Sequence, residues 1–241
     1  MEDHKNHFMS LLPAFKDKRY IKVDGKPLFM IYNAIIFPQV SEFISLWQKL
    51  ARENGLSGIY FVGGTQSTYS FRKNEEGKRI ASMPNLKSSA DVFNSVLDLG
   101  FDAVNSSGKR RGEMLEEGRF MNIIRIALLK MGIPLTKKYD YLKTVKGFFA
   151  PEDSWENVFP TILPQWDRSP RVGSPDGVYI NATPDNFRKH VLHALDIVKD
   201  KTEEHRIIIL KSWNEWGEGN YVEPDQVFGH GFLDVLSETI K

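Results

Sequence analysis

The residues best suited to acid–base chemistry lie close together in one stretch: Trp213-Asn214-Glu215-Trp216-Gly217-Glu218-Gly219-Asn220-Tyr221-Val222-Glu223-Pro224. An apolar run, Ile207-Ile208-Ile209-Leu210, leads into it through Lys211 and Ser212. Three carboxylates this close repel one another unless cations, hydrogen bonds or protonation relieve them. On a continuing strand, Glu215 and Glu218 would point to opposite faces. Gly217 and Gly219 allow the chain to turn, after which both carboxyls can converge on one pocket. Two convergent carboxyls in different surroundings are what a general acid and a general base require. In sequence, Glu215 stands between two tryptophans and Glu218 between two glycines. That order favours burial of Glu215 and openness of Glu218. Trp213, Trp216 and Tyr221 offer flat apolar surface suited to the C–H faces of a sugar. Asn214 can donate to and accept from hydroxyls, and Glu223 completes the group of candidate binding residues.

A second cluster, Gln165-Trp166-Asp167-Arg168-Ser169-Pro170-Arg171, follows another apolar run. Trp166 adds an aromatic face, and Asp167 could bind a pair of sugar hydroxyls. Arg171 could orient Asp167 or meet an anionic substituent. Tyr32, near the end of the first apolar run, joins the candidate binding residues. Other signals are weaker. Lys109-Arg110-Arg111 could meet a phosphate, although three basic residues are usually a solvated loop. Asn181-Ala182-Thr183 has the form of a glycosylation acceptor, against which Pro184 and the absence of a secretory signal both speak. The six histidines show no HExxH or paired metal spacing, and no glycine-rich phosphate loop is present. No metal and no cofactor is expected.

These residues need elements to hold them. Leu28–Ala34, Gly58–Val62, Phe101–Asn105, Val158–Leu163 and Arg206–Trp213 are near-continuous apolar runs, the pattern of strands covered on both faces. Helical spacing predicts helices over Ser41–Asn54, Ala90–Leu99 and Asp185–Lys199. Gly55 and Gly100 are stops for the first two, and Thr183-Pro184-Asp185 is a start for the third. Strand–helix alternation of this kind implies right-handed βαβ units and a parallel sheet. Two long polar connections, Gly64–Ser89 and Gln165–Ala182, follow strands directly, where a barrel builds its active face.

Composition narrows the classes. The chain has 241 residues, with 32 basic against 31 acidic side chains and a net charge of +1. A nucleic-acid binder would show a basic excess, and none is present. There is no cysteine, which excludes disulfides, thiolate metal sites and a cysteine nucleophile. The N-terminus, Met1-Glu2-Asp3-His4-Lys5-Asn6-His7, is polar and lacks the form of a secretory signal. No stretch approaches the roughly 18 apolar residues of a membrane span. A cytoplasmic protein is the expectation.

The segment Trp213–Pro224 resembles the WNEW-x-EG-x-x-x-EP signature of WbsX-like glycosyltransferases, which belong to bacterial surface-polysaccharide clusters and are related to glycoside hydrolase family 99, the endo-α-mannosidase type. Phe15–Pro27 and Trp166–Arg171 agree with that resemblance. It implies an α/β fold of the (β/α)8 TIM-barrel type. It also implies retention of anomeric configuration through a 1,2-anhydro intermediate. Glu215 would be the base acting on the sugar 2-hydroxyl and Glu218 the general acid for the leaving group. Full-length members look to have three more strands before the segment that begins here, including an ANENW-like stretch. Residues 1–241 are therefore expected to form a single domain with about five of eight parallel strands, the C-terminal part of a barrel. The five strands should pair in sequence order as an open curved sheet, with exposed apolar surface along Leu28–Ala34. Five strands cannot close a barrel, so self-association or pairing with an upstream barrel fragment is the expected partnership. The expected ligand is a glycan or a glycosyl donor and acceptor. The alternative is a catalytically inactive truncated barrel that binds only glycan or a partner chain.

Overall fold

The computed structural model describes residues 2–65, 71–73, 79–81, 88–117, 124, 128, 131, 137–172 and 177–240. The chain forms two compact units. The first comprises Met1–Ser106, Ser154–Phe159 and Lys201–Ile207; the second comprises Ser107–Asp153, Pro160–Asp200 and Ile208–Lys241.

The first unit opens with helix α1 (Glu2–Lys16), strands β1 (Lys22–Val23) and β2 (Lys26–Ile31), and helix α2 (Val40–Glu53). Strand β3 (Tyr60–Gly64), the short pair β4 (Phe71–Lys73) and β5 (Arg79–Ala81), helix α3 (Ser89–Leu97) and strand β6 (Ala103–Ser106) follow. β2 pairs parallel with β3, and β3 parallel with β6. β6 neighbours strand β8 (Val158–Ile162), whose first two residues belong to this unit. The Val104 amide donates to Asn157 O at 2.9 Å, and the Asn105 side-chain amide to Phe159 O at 3.0 Å. Strand order therefore follows sequence order, as the strand–helix alternation requires.

The sequence pattern also places the helices, to within two residues. α2 buries Val40, Phe43, Ile44, Trp47, Leu50 and Ala51 on one face and stops before Gly55, whose φ is 82°. Its expected cap, Ser41, lies inside the helix; Gln39 occupies the cap position in a left-handed conformation without a side-chain bond. α3 begins one residue early because Ser88 and Asp91 form a reciprocal capping box.

The expected exposure along Leu28–Ala34 is only partly met. β1 pairs antiparallel onto the start of β2, Lys22 with Pro27 and Val23 with Lys26. Helix α1, absent from the sequence reading, packs Phe8 and Phe15 into the core around Trp47, whose indole donates to His4 O at 3.0 Å. Phe8, Leu11, Leu12 and Phe15 carry the helical period; the polar residues around them mask it. Beyond the paired part, Met30 is 41% exposed and Tyr32, just past the strand, 56%.

The second unit contains α4 (Lys109–Glu117), β7 (Lys138–Asp140), α5 (Tyr141–Lys146), the end of β8, α6 (Ser169–Val172), β9 (Val178–Ile180) and α7 (Pro184–Val198). Strands β10 (Ile209–Leu210), β11 (Asn214–Glu215) and β12 (Asn220–Tyr221) and helix α8 (Gly231–Thr239) complete it. β8 pairs parallel with β10, and β7 parallel with β9. The expected strand Arg206–Trp213 is reduced to two paired residues; the Lys211 amide still donates to Ile162 O at 3.0 Å, and Ser212 then bonds to Asn220 of the hairpin of β11 and β12. α7 starts where Thr183 accepts from the Asn186 amide at 3.3 Å, with Pro184 in its first turn. Gly64–Ser89 falls mostly outside the described residues, as do residues 173–176 of the second long connection.

Candidate active site

The C-terminal motif is a tight hairpin in the second unit. β11 and β12 pair Asn214 with Tyr221 and Glu215 with Asn220, and a 3-10 turn over Trp216–Glu218 joins them. Gly219 closes that turn at φ 51°, ψ 39°, a left-handed conformation that glycine adopts without penalty. The glycine turn therefore forms where the sequence placed it. Buried Asn220 fixes the hairpin base: its side-chain oxygen accepts from the Ser212 amide at 3.1 Å, and its carbonyl from the Ser212 hydroxyl at 2.8 Å.

The second sequence cluster is strapped to this hairpin by backbone. The Asp167 amide donates to Glu218 O at 2.9 Å, and the Gln165 side chain to Tyr221 O at 3.3 Å. Asp167 bridges Val178, and the Tyr179 amide donates to Trp166 O at 2.9 Å. Arg171, on the four-residue helix α6, reaches back to the two carboxylates. Its Nη1 lies 3.3 Å from Glu215 Oε1 and 3.4 Å from Glu218 Oε1. Sharing one nitrogen caps the separation of the two carboxylate oxygens at the sum of those distances. Glu215 and Glu218 thus meet on one cation.

Burial runs against the sequence expectation. Glu218 is the more buried of the pair, its side chain 17% exposed against 43% for Glu215. Neighbours in sequence do not decide this. The hairpin turns the tryptophans beside Glu215 outward, Trp213 to 53% and Trp216 to 48% exposure, while the backbone of Glu218 is tied to Asp167.

The aromatics divide into three situations. Trp216 and Tyr221 stack on each other, ring centroids 3.6 Å apart and planes 15° apart, and the Trp216 indole donates to Glu223 Oε2 at 2.7 Å. Trp213 is exposed, and its carbonyl accepts from the Val222 amide at 3.0 Å. Trp166 is only 6% exposed, with the Lys109 ammonium 4.2 Å and the Lys211 ammonium 5.3 Å from its ring centroid. It forms a buried wall bearing cations, and presents no open platform. Asn214 is exposed. Asp167 is half-buried, and its carboxylate accepts from the Ser169 amide at 2.9 Å, while the ion pairs of Arg171 are with Glu215 and Glu218. Tyr32 belongs to the first unit.

One group near the carboxylates lay outside the sequence reading. Lys211 extends from the end of β10; burial pulls its ammonium below the usual lysine range, and Glu218 and Glu215 oppose that pull. A lone lysine ending an apolar strand run was the available signal. Lys109 begins α4 and pairs with Glu113 at 2.5 Å, and Glu113 also accepts from buried Tyr179. Arg111 donates to Gly147 O and Phe149 O, so the basic triplet is a helix start with Arg111 anchored and Arg110 exposed. Among the described residues no group of three His, Asp or Glu could hold a metal ion, and no helix is long and apolar enough to cross a membrane.

A paired-carboxylate site on a hairpin after a parallel strand, in an α/β fold, defines the class. The particular family follows from comparison: residues 1–236 match the family model described as Glycosyltransferase WbsX, and the chain belongs to that family. Among similar curated proteins is the uncharacterized protein WxcX of Xanthomonas campestris pv. campestris, 21% identical over 240 residues, which cover 93% of this chain and 28% of WxcX. WxcX of a second strain, B100, matches equally, at 21% identity and the same coverage. Among solved structures, a glycoside hydrolase-like protein aligns with a TM-score of 0.58 at 17% identity, over 99% of this chain and 60% of that one. The chain thus spans less than a third of the WxcX proteins and about three-fifths of that structure.

Proposed function

We propose that the chain carries the chemical centre of a carbohydrate-active enzyme that forms or cleaves a glycosidic bond in bacterial surface-polysaccharide metabolism. Membership of the WbsX family and the glycoside hydrolase-like fold support carbohydrate as the substrate class. The strand–helix order supports reading the fold as part of a (β/α)8 barrel. The observation that carries the proposal is the convergence of Glu215 and Glu218 on one guanidinium nitrogen.

In this reading Glu215 takes the proton of the sugar 2-hydroxyl as that oxygen attacks the anomeric carbon. Glu218 gives its proton to the departing oxygen as the glycosidic bond breaks. The 1,2-anhydro sugar is then opened by an incoming hydroxyl, from water or from an acceptor sugar. That hydroxyl returns a proton to Glu218, and the 2-oxygen recovers its own from Glu215. Configuration is retained, and no carboxylate attacks carbon, unlike the usual retaining pair. Glu218 is assigned as the proton donor, and Glu215 as the base, on the resemblance of Trp213–Pro224 to the family signature.

The test uses a panel of aryl glycosides with poor and activated leaving groups. Glu218→Gln should abolish turnover of the poor ones and partly spare the activated ones, since general acid help is worth about 10²–10⁴-fold where the leaving group needs it. Glu215→Gln should impair both. Equal losses for both variants on both substrate types would remove the role assignment.

A further inference from the structure

Arg171 holds the carboxylate pair with an unusual economy of contact. A guanidinium has five N–H donors in a planar fork. Here only Nη1 is engaged, and it is shared between Glu215 and Glu218 at 3.3 and 3.4 Å. Charge-assisted N–H···O bonds ordinarily close to about 2.7–2.9 Å. Nε and Nη2 make no hydrogen bond among the described residues, and the side chain is 55% exposed. The backbone amide ties its helix in place by donating to Arg168 O at 3.1 Å. The stem runs past Gly217, where an added Cβ would sit 3.8 Å from Arg171 Cδ. The fork is thus positioned from behind and open in front.

The charges around it explain what it would take. Lys211 is a second cation acting on both carboxylates, and it is half-buried. Lys109 is paired with Glu113. Arg168 adds a further positive charge that acts on Lys211. With both glutamates ionised, Arg171 and Lys211 balance Glu215 and Glu218. A general acid must carry its proton into the reaction, and once Glu218 does so, two cations face one carboxylate. A neutral sugar leaves that excess in place, whereas an oxyanion removes it. Arg171 is the cation able to re-partner, being exposed and loosely held.

We infer that Arg171 reads an anionic substituent of the substrate, a carboxylate or phosphate oxyanion next to the sugar whose bond reacts, through the unengaged Nε–Nη2 edge of its guanidinium. This rests on the acid role given to Glu218 above. A planar two-oxygen anion matches that edge bidentately, a geometry a lysine cannot reproduce. The anion has two sources, a uronic-acid sugar or the phosphate of an activated donor.

Binding by the full chain distinguishes them without any turnover. Saturation-transfer and titration NMR would compare glucuronate, galacturonate and mannuronate with glucose, galactose and mannose, and with inorganic pyrophosphate. At least one oxyanion should bind about tenfold or more tighter than the neutral sugars. Arg171→Met should weaken it by roughly tenfold to a hundredfold, and Arg171→Lys should recover only part of that. Binding confined to a uronate assigns a charged sugar; binding confined to pyrophosphate assigns a donor phosphate. An unchanged circular dichroism spectrum and melting midpoint certify that the variants fold. Equal binding by neutral and anionic sugars, no oxyanion binding at tens of millimolar, or equal affinity in wild type and Arg171→Met would overturn the inference. Because turnover plays no part, failure here is separable from failure of the Glu215 and Glu218 roles, which the leaving-group experiment decides.

Discussion

Replacing Gly219 by alanine should uncouple the two halves of the site, and a second glycine supplies the control. Gly219 and Gly229 share nearly the same left-handed backbone, φ 51° and 55°. A Cβ on Gly229 would meet nothing within 4 Å, whereas one on Gly219 would lie 2.9 Å from Asp167 O and 3.0 Å from both Asp167 N and Asp167 Cβ. Two of those three atoms are backbone, so no rotamer change relieves the contact. The left-handed conformation costs an L-residue roughly 1–2 kcal/mol at either position. Overpacking adds about 1–3 kcal/mol at Gly219 alone. Gly229→Ala should therefore lower stability by the conformational cost only. Gly219→Ala should lose more, and it should break the Asp167 amide bond to Glu218 O that ties Glu218 to the second cluster. Urea denaturation of both variants isolates the steric part, and sugar binding or turnover reads the displacement of Glu218. Equal destabilisation of the two variants, or full function in Gly219→Ala, would refute the strap as the device that positions Glu218.

Two further outcomes test the interior of the second unit. His190 on α7 is 1% exposed, stacked on Phe149 at 5.2 Å, with neither ring nitrogen bonded among the described residues, and burial pulls it from 6.5 to about 3. Its folded affinity for the proton lies below the unfolded one, so its stability contribution is complete above pH 6.5. It is lost as pH falls toward 3, at up to about 1.4 kcal/mol per pH unit. His190→Phe should flatten the pH dependence of the urea midpoint over that window; an unchanged slope would show that His190 protonates without penalty. The Tyr141 hydroxyl donates to Leu163 O at 2.5 Å inside the same core, so Tyr141→Phe should cost about 1–3 kcal/mol by leaving a buried carbonyl unpaired, measured by the same denaturation.

What the sequence reveals follows the range of the forces involved. Apolar runs and helical spacing are local, so the parallel strands and the three helices were legible to within a few residues. Caps are local too, yet Gln39 in place of Ser41 shows that a left-handed backbone can start a helix without a side-chain bond. Helix α1 was missed because only its buried stripe carries the period, diluted by charged neighbours. The turn at Gly217 and Gly219 was legible from glycine chemistry. The relative burial of Glu215 and Glu218 was not, since it depends on Asp167 and Arg171, more than forty residues earlier in the chain. Lys211 was overlooked for the same reason: its meaning comes from Trp166 and the two carboxylates, none of them adjacent to it.

The aromatic residues show why composition alone misjudges a sugar site. Four rings stood together as candidate platforms, yet their environments assign them different work. Trp166 is spent on cations: two ammoniums lie over its ring, an attraction that strengthens with desolvation. Tyr221 is covered on one side by Trp216, and that stack, with the indole bond to Glu223, stiffens the outer limb of the hairpin. The aromatic surface left for a ligand is Trp213 and the outer face of Trp216. These rings flank Glu215 in sequence and stand more exposed than either carboxylate. In the proposed reading a sugar lying on them would present its hydroxyl edge toward Glu215, with the less exposed Glu218 on the same hairpin and Arg171 of α6 bridging the two carboxylates. In that reading the ring rests on the side of the proposed base, Glu215, and the proposed acid, Glu218, is the less exposed of the pair.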